Sequence, residues 1–414
     1  MRYRASVASD DPWGLGEVLF PETYEHPIGR HYLGGGQFME YLMDTHGPEA
    51  FRKTTRCNHQ WSLVPRFAFG LALWNGTGVW PGRLSSRFMA AEQAEERQHL
   101  DALPDLSTPD VIAAEDGFHH RRPVWTSDST LVVYGRGYRS RPGFYRYNVR
   151  SGARERIATT TITQDRTYTL TPDSTALLFA RPHFHPLLRD QTQTHVHRLS
   201  LTSGETSQIS EASGVFAPAE RNGRTWVAER DGTHSTLAFV DEHGTERLLE
   251  LGRLRLRSIA PSPRTGDVAV LASEGTHQGI YRAAPDGSAL EPWLRFEDGS
   301  IYDLSWGPNG RYLLFAAGPS GVPNAYAYDT RSDRVVRLTT VRFGALEPTL
   351  SPDGTTLAFV RYQHEQFDVV QLPFQPNGAP IADGIERTWS SPATASRASR
   401  ASRPDADDTL LRAS

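Results

Sequence analysis

Four histidines, His183, His185, His195 and His197, flank one predicted hairpin within ARPHFHPLLRDQTQTHVHRL. Side chains alternate along a strand, so 183 shares a face with 185, and 195 with 197. Imidazoles gathered in this way suit zinc, copper or nickel, which makes these four the candidate metal ligands. The plainer reading is packing. His197 occupies a strand position held elsewhere by Tyr145, Tyr281 and Tyr326, and Pro182 and Pro186 interrupt the ladder. A second group, His119, His120, Arg121 and Arg122, stands ahead of an apolar strand. His183 and Arg361 stand just past other strands. Strand ends and loops carry ligand contacts, so His119, His120, Arg122, His183 and Arg361 are the candidate binding residues.

No catalytic motif is complete. A zinc peptidase needs His-Glu-x-x-His on a helix, with two imidazoles one turn apart and a general base between them. The nearest stretch, His364-Glu365-Gln366-Phe367-Asp368, ends in Asp. Gly34-Gly35-Gly36 has no strand before it and no Lys-Ser/Thr after it, so close helix packing is expected in place of phosphate binding. Glu92, Glu95 and Glu96 are expected on a solvated helix face. Cys57 is the single cysteine, which excludes an internal disulfide and a thiolate zinc cluster. No cofactor is expected. The net charge of −4 gives no basic field for nucleic acid. No apolar run is long enough to span a membrane as a helix, and the N-terminus does not read as a signal peptide.

These residues sit on a repeat. A Ser/Thr/Trp-x-Asp/Asn-Gly/Ser turn followed by an apolar strand recurs, most clearly as Ser351-Pro352-Asp353-Gly354 before TTLAF. The turn falls at positions 128, 173, 222, 264, 309 and 353, in steps of 42 to 49 residues. A period near 40–45 residues marks a propeller. Each turn leads into a buried second strand, then a third, then a fourth near Ile157, Ile209, Leu249, Leu294 and Leu338. Ile112 lies at the same offset from the first turn with no repeat ahead of it. Asp110–Ala113 is therefore expected to close the last blade. The sequence predicts a mainly β chain with a six-bladed β-propeller over 106–374. A small helical segment is expected over 1–104, where Phe38, Tyr41, Leu42 and Thr45 keep helical spacing up to a capping Gly47. Phe67, Leu71 and Trp74 suggest a further helix, and Leu84, Phe88, Ala91 and Ala94 another. Residues 375–414, rich in Ala, Ser, Arg and Pro, are expected to be disordered.

Ser351-Pro352-Asp353-Gly354 with Leu357-Ala358-Phe359 resembles the propeller of TolB and related WD40-like (PD40-type) repeat proteins. Tyr32-Leu33-Gly34-Gly35-Gly36-Gln37-Phe38, with His46-Gly47-Pro48-Glu49-Ala50-Phe51, resembles the downstream helices of gluzincin-type metallopeptidases, without their zinc motif. The first resemblance implies a propeller that binds a protein or peptide partner, and relatives that are periplasmic or secreted. The second implies an oxyanion-stabilising role for Tyr32 if a zinc half is supplied by another chain. Three functions stay open: a non-catalytic binding propeller, the downstream part of a zinc peptidase, and a lyase or hydrolase using the histidine hairpin. The first is the leading expectation. Oligomeric state and compartment are not legible in the residues.

Overall fold

The structure is a computed structural model that describes residues 2–19, 29–60, 65–115, 117–163, 167–184, 192–211, 213–232, 234–241, 244–364, 366–387 and 396–397. The chain divides into two compact units. One comprises Met1–Ser107, Thr340–Gly344 and Tyr362–Gln366; the other comprises Thr108–Thr339, Ala345–Arg361 and Phe367–Ser414.

The first unit carries α1 (Arg2–Val7), α2 (Leu15–Leu19), α3 (Arg30–Gln60), α4 (Pro65–Thr77) and α5 (Pro81–Asp101). Gly47, at φ 76°, breaks α3 into two helical stretches, and Pro48 opens the second, where a missing N–H leaves no bond unmade. Phe38, Leu42, Leu84 and Phe88 are fully buried and cluster with Tyr3, Trp13 and Val18. Gly34 marks a close approach of α3 to α2, since a Cβ there would stand 2.3 Å from Val18 Cγ1. Two features depart from the expected pattern. In α4 the buried face is Ala68, Ala72 and Leu73, while Leu71 and Trp74 are exposed. In α5 Glu96 is buried, with Arg4 Nε 2.7 Å from Oε2 and Arg342 Nε 3.7 Å from Oε1. That carboxylate belongs to an ion-pair network and not to a solvated face. Burial, reinforced by Glu95, pushes the neighbouring Glu92 carboxyl up to about 7.

In the second unit the first five repeats each form an antiparallel four-strand meander, and the last supplies three strands. Four meanders stand as self-contained blades, beginning at Tyr168–Leu170, Val215–Arg221, Arg255–Pro261 and Ile301–Trp306. The first and last repeats do not form two further separate blades. They join in one eight-stranded sheet, because His119 of the strand Phe118–Ser127 pairs in parallel with Phe367 of the strand Gln366–Pro373. The propeller thus has four discrete blades and not six, and the repeat count overstates the sheet count where two edges meet. Asp110–Ala113 pairs antiparallel with the same Gln366–Pro373 strand, in register Asp110↔Gln371, Val111↔Val370 and Ala113↔Val369.

Local chemistry builds the turns. Asp353 accepts from the Thr355 N–H at 3.0 Å and from the Ser351 and Thr355 hydroxyls at 2.5 and 2.9 Å. Asp173 repeats the pattern with Thr171 and Thr175, whose hydrogen bonds hold its carboxyl down at about 2. A Ser/Thr-Pro-Asp-x-Thr segment thus ties its own backbone before the apolar strand begins.

The expectation of disorder across 375–414 is corrected for its first part. Pro376–Gly378 forms a 3-10 turn, Ile381 bridges to Val336, and Ile385–Glu386 adds to the edge strand Leu290–Phe296. Ser396–Arg397 pairs with the edge strand Gly244–Glu250. Edge strands present unpaired backbone groups, so even a polar, Pro-containing segment finds partners there. Residues 388–395 and 398–414 lie outside the described residues.

Candidate functional site

The inner strands of all six repeats converge on one cavity of about 320 Å³, to which they contribute Arg122, Tyr168, Ala219, Ile259, Asp303 and Glu347. Most of these strands are bulged on their way to it. Register shifts fall between Arg121 and Val124, Phe216 and Ala219, Tyr302 and Ser305, and Leu346 and Thr349. Within those shifts Arg122, Ala217, Asp303 and Glu347 adopt left-handed φ of 49°, 48°, 53° and 53°. For residues with a Cβ this conformation costs roughly 1–2 kcal/mol each, and it persists only where the surroundings enforce it. The surroundings here are hydrogen bonds that link each repeat to its neighbour. Arg122 Nε donates to the Tyr168 carbonyl at 3.0 Å, and Thr169 Oγ1 to the Pro218 carbonyl at 2.9 Å. Trp306 Nε1 donates to the Ala260 carbonyl at 2.9 Å, and Ser305 Oγ to the Pro348 carbonyl at 2.6 Å.

Charged side chains line the cavity from several repeats: Glu220 and Arg221 on one inner strand, and Arg122, Asp303 and Glu347 on three others. Glu347 is buried and accepts from Arg121 Nε at 2.9 Å through Oε1 and from the Arg122 N–H through Oε2. Its own N–H donates to Asp303 Oδ2 at 3.2 Å. Burial pushes the Asp303 carboxyl up to about 6, with the Glu347 charge adding to the rise and Arg122 and Arg121 opposing it. Tyr168 is fully buried. Its hydroxyl donates to the Arg122 carbonyl and accepts from the Tyr134 N–H at 2.9 Å, and burial carries its ionisation well above the usual phenol range. Val124, Leu170, Ile259, Leu304 and several prolines supply the apolar part of the lining.

Of the five candidate binding residues, Arg122 alone lines this cavity. Alternation would place His120 on the same face as Arg122, but the left-handed Arg122 breaks the alternation and His120 turns into the core. There Nδ1 donates to the Phe367 carbonyl at 2.9 Å and Nε2 accepts from the Tyr147 hydroxyl at 2.9 Å. Burial holds its pKa down at about 4. His119 sits at the junction of the first and last repeats, its ring centroid 5.3 Å from that of Phe367. Arg361 pairs with buried Asp368 at 3.3 Å.

The histidine hairpin does bring three rings together. His183 Nε2 lies 3.1 Å from His197 Nε2, and the His195 ring centroid is 5.6 Å from that of His183. His185 lies outside the described residues. Among the described residues no group of three or more His, Cys, Asp or Glu is placed to hold a metal ion. His197 is held down at about 4 by burial first and then by His183, Arg181 and His195, so the cluster favours neutral rings in a mutual hydrogen bond. Tyr32 is 79% exposed, on the surface of the helical unit.

No family model matches the chain, the helical part with its peptidase resemblance included, and no curated protein matches it. Among solved structures it is similar to a putative TolB from Agrobacterium tumefaciens, with a TM-score of 0.44 and 15% identity, over 55% of this chain and 83% of that one. It is also similar to an oligogalacturonate lyase in complex with manganese, with a TM-score of 0.42 and 11% identity, over 68% of this chain and 96% of that one. TolB from Acinetobacter baumannii gives a TM-score of 0.41 and 13% identity, over 72% of each chain.

Asp303 and Glu347 escaped the sequence reading, although a signal for them exists. Arg122, Asp303 and Glu347 each stand six residues before a turn position, at Asp128, Asn309 and Asp353. Aligning the repeats on their turns puts three charged residues in one column, and a column of charge on inner strands is a column facing the axis.

The buried His120 carries a pH dependence. Its folded pKa lies below the unfolded value, so folding favours the neutral ring. The stability this provides is complete above pH 6.5 and lost as pH falls towards 4, to a total of about 3 kcal/mol. Denaturant titrations at pH 7 and pH 4.5 should show this loss in the natural protein, and a smaller difference between the two pH values in His120→Asn.

Proposed function

We propose that the chain is a non-catalytic binding protein that receives a peptide segment of a protein partner in the cavity on the propeller axis. The observation that supports this is the convergence of six repeats on one cavity lined by both apolar and charged side chains, with hydrogen bonds running between repeats around it. Such a site is formed before its ligand arrives, which lowers the ordering cost of binding. Neither alternative gains an observation. A zinc half supplied in trans finds Tyr32 on an exposed surface, and a histidine-held metal finds no ligand group among the described residues.

Plugging the cavity tests the reading. Thr349 lines it and is only half-buried, so Thr349→Trp should fill space without displacing packed atoms. Peptides selected on the full chain should bind this variant at least tenfold more weakly, while its melting temperature stays within a few degrees. Unchanged affinity in a folded Thr349→Trp protein would place peptide binding elsewhere or nowhere on this chain.

A further inference from the structure

The two adjacent arginines at the cavity have different surroundings, and the difference names a ligand. Arg121 is satisfied, since both Nε and Nη2 reach Glu347 Oε1, at 2.9 and 2.7 Å. Arg122 spends only Nε, on the Tyr168 carbonyl at 3.0 Å. Among the described residues no carboxylate lies within ion-pair distance of its guanidinium, which lines the cavity. Glu347 has little left to offer, because Arg121 and the Arg122 N–H occupy its two oxygens. The Asp303 carboxylate lies near Arg122 without pairing with it. A carboxylate would meet open donors in a fixed fork.

Resting on the peptide-binding reading above, we infer that the axial cavity is a receptor for a chain-terminal carboxylate, with the Arg122 guanidinium as its anchor and an apolar last side chain against Leu170, Ile259 and Leu304. Guanidinium–carboxylate pairing is bidentate and among the strongest hydrogen-bonded contacts available to a protein. Capture of a C-terminal carboxylate is a recurring mode of peptide recognition. Size agrees with this. At about 320 Å³ the cavity lies at the small end of ligand pockets, roughly 300–1,000 Å³, and suits the end of a chain better than a loop passing through. Asp303 adds a direction with pH. Its carboxyl is pushed up to about 6, so acidification removes a negative charge beside Arg122 and leaves an O–H able to donate to the incoming carboxylate.

Calorimetric titration of the full chain with two probes, acetyl-Ala-Leu as the free acid and as its C-terminal amide, tests the assignment. The acid should bind at least tenfold more tightly than the amide, and more tightly at pH 5.5 than at pH 7.5. Arg122→Gln should weaken the acid at least tenfold and abolish its advantage over the amide, and Arg122→Lys should recover part of that advantage. Equal binding of acid and amide, with both lost in Thr349→Trp, overturns the carboxylate anchor while peptide binding in the cavity stands. No binding of either probe, or acid binding indifferent to Arg122→Gln, also overturns the anchor; the plugging test on selected peptides then decides the broader reading separately.

Discussion

Glu347→Ala should destabilise the propeller more than any other single substitution at the cavity, by roughly 3–5 kcal/mol, the cost of removing one partner of a buried ion pair. The Glu347 side chain is 3% exposed and that of its partner Arg121 is 17% exposed. Alanine leaves the Arg121 guanidinium without its counter-charge and the Arg122 N–H without an acceptor. The bond from the residue 347 backbone N–H to Asp303 survives the change, so the loss falls on the carboxylate that ties the last inner strand to the first. For a unit of this size the loss corresponds to a fall in melting temperature of about 10 °C, measurable by calorimetry. Glu347→Gln keeps the shape and removes the charge, and it should show a second effect. Without the Glu347 charge the Asp303 carboxyl should titrate lower than about 6, because part of its rise comes from that neighbour. A carboxyl titration followed by NMR would show the shift; an Asp303 that titrates as before would mean that the two groups do not interact.

Ala113→Asp should open the ring. Ala113 is 6% exposed and packs with Phe118, Val133 and Val369 in the core formed where the last repeat meets the first. The nearby Arg154 guanidinium, over the Phe118 and Tyr145 rings, is already paired with Glu115. A carboxylate buried there therefore lacks a free counter-charge, one of the mechanisms that cost more than about 4 kcal/mol. The strand Asp110–Ala113 has four residues, too few to absorb such a penalty, so it should leave its place beside Gln366–Pro373. Val370, fully buried and paired to Val111, would then lie on an open edge, which invites pairing between molecules. The expected result is a fall in melting temperature of more than about 10 °C, with dimers or aggregates in size-exclusion chromatography. Val111→Asp provides the contrast. A register shift separates Val111 from Ala113 and leaves Val111 55% exposed, so an aspartate there should change little.

Much of the fold could be read from local chemistry. Ser351-Pro352-Asp353-Gly354-Thr355 makes its own turn through hydrogen bonds within five residues, and such turns recur wherever their residues do. The break at Gly47 and the burial of Phe38, Leu42, Leu84 and Phe88 follow from spacing in the same way. What escaped reading depends on distant partners. The joining of the first and last repeats turns on one parallel pair, His119 with Phe367, about 250 residues apart in sequence. His120 and Arg122 point differently only because the backbone at Arg122 is left-handed, and what enforces that is Glu347 and Tyr168 on other repeats. Glu96 is a third case, since Arg342, one of its two ion-pair partners, lies far along the chain. The candidate site was therefore visible as one arginine, while its acidic partners were hidden in repeats where nothing nearby marked them.

The pairing of Asp110–Ala113 with Gln366–Pro373 also sets a timetable. The closing strand is made first and its partner last, so on a ribosome adding about 5–20 residues per second it waits for well over ten seconds. Through that interval the inner strands that shape the cavity can form hairpins, but no circle. Ligand affinity should therefore appear late and all at once, when the two ends meet, and a growing chain should have none. A pause or a prolyl isomerisation near Pro373 would delay competence without altering the finished protein.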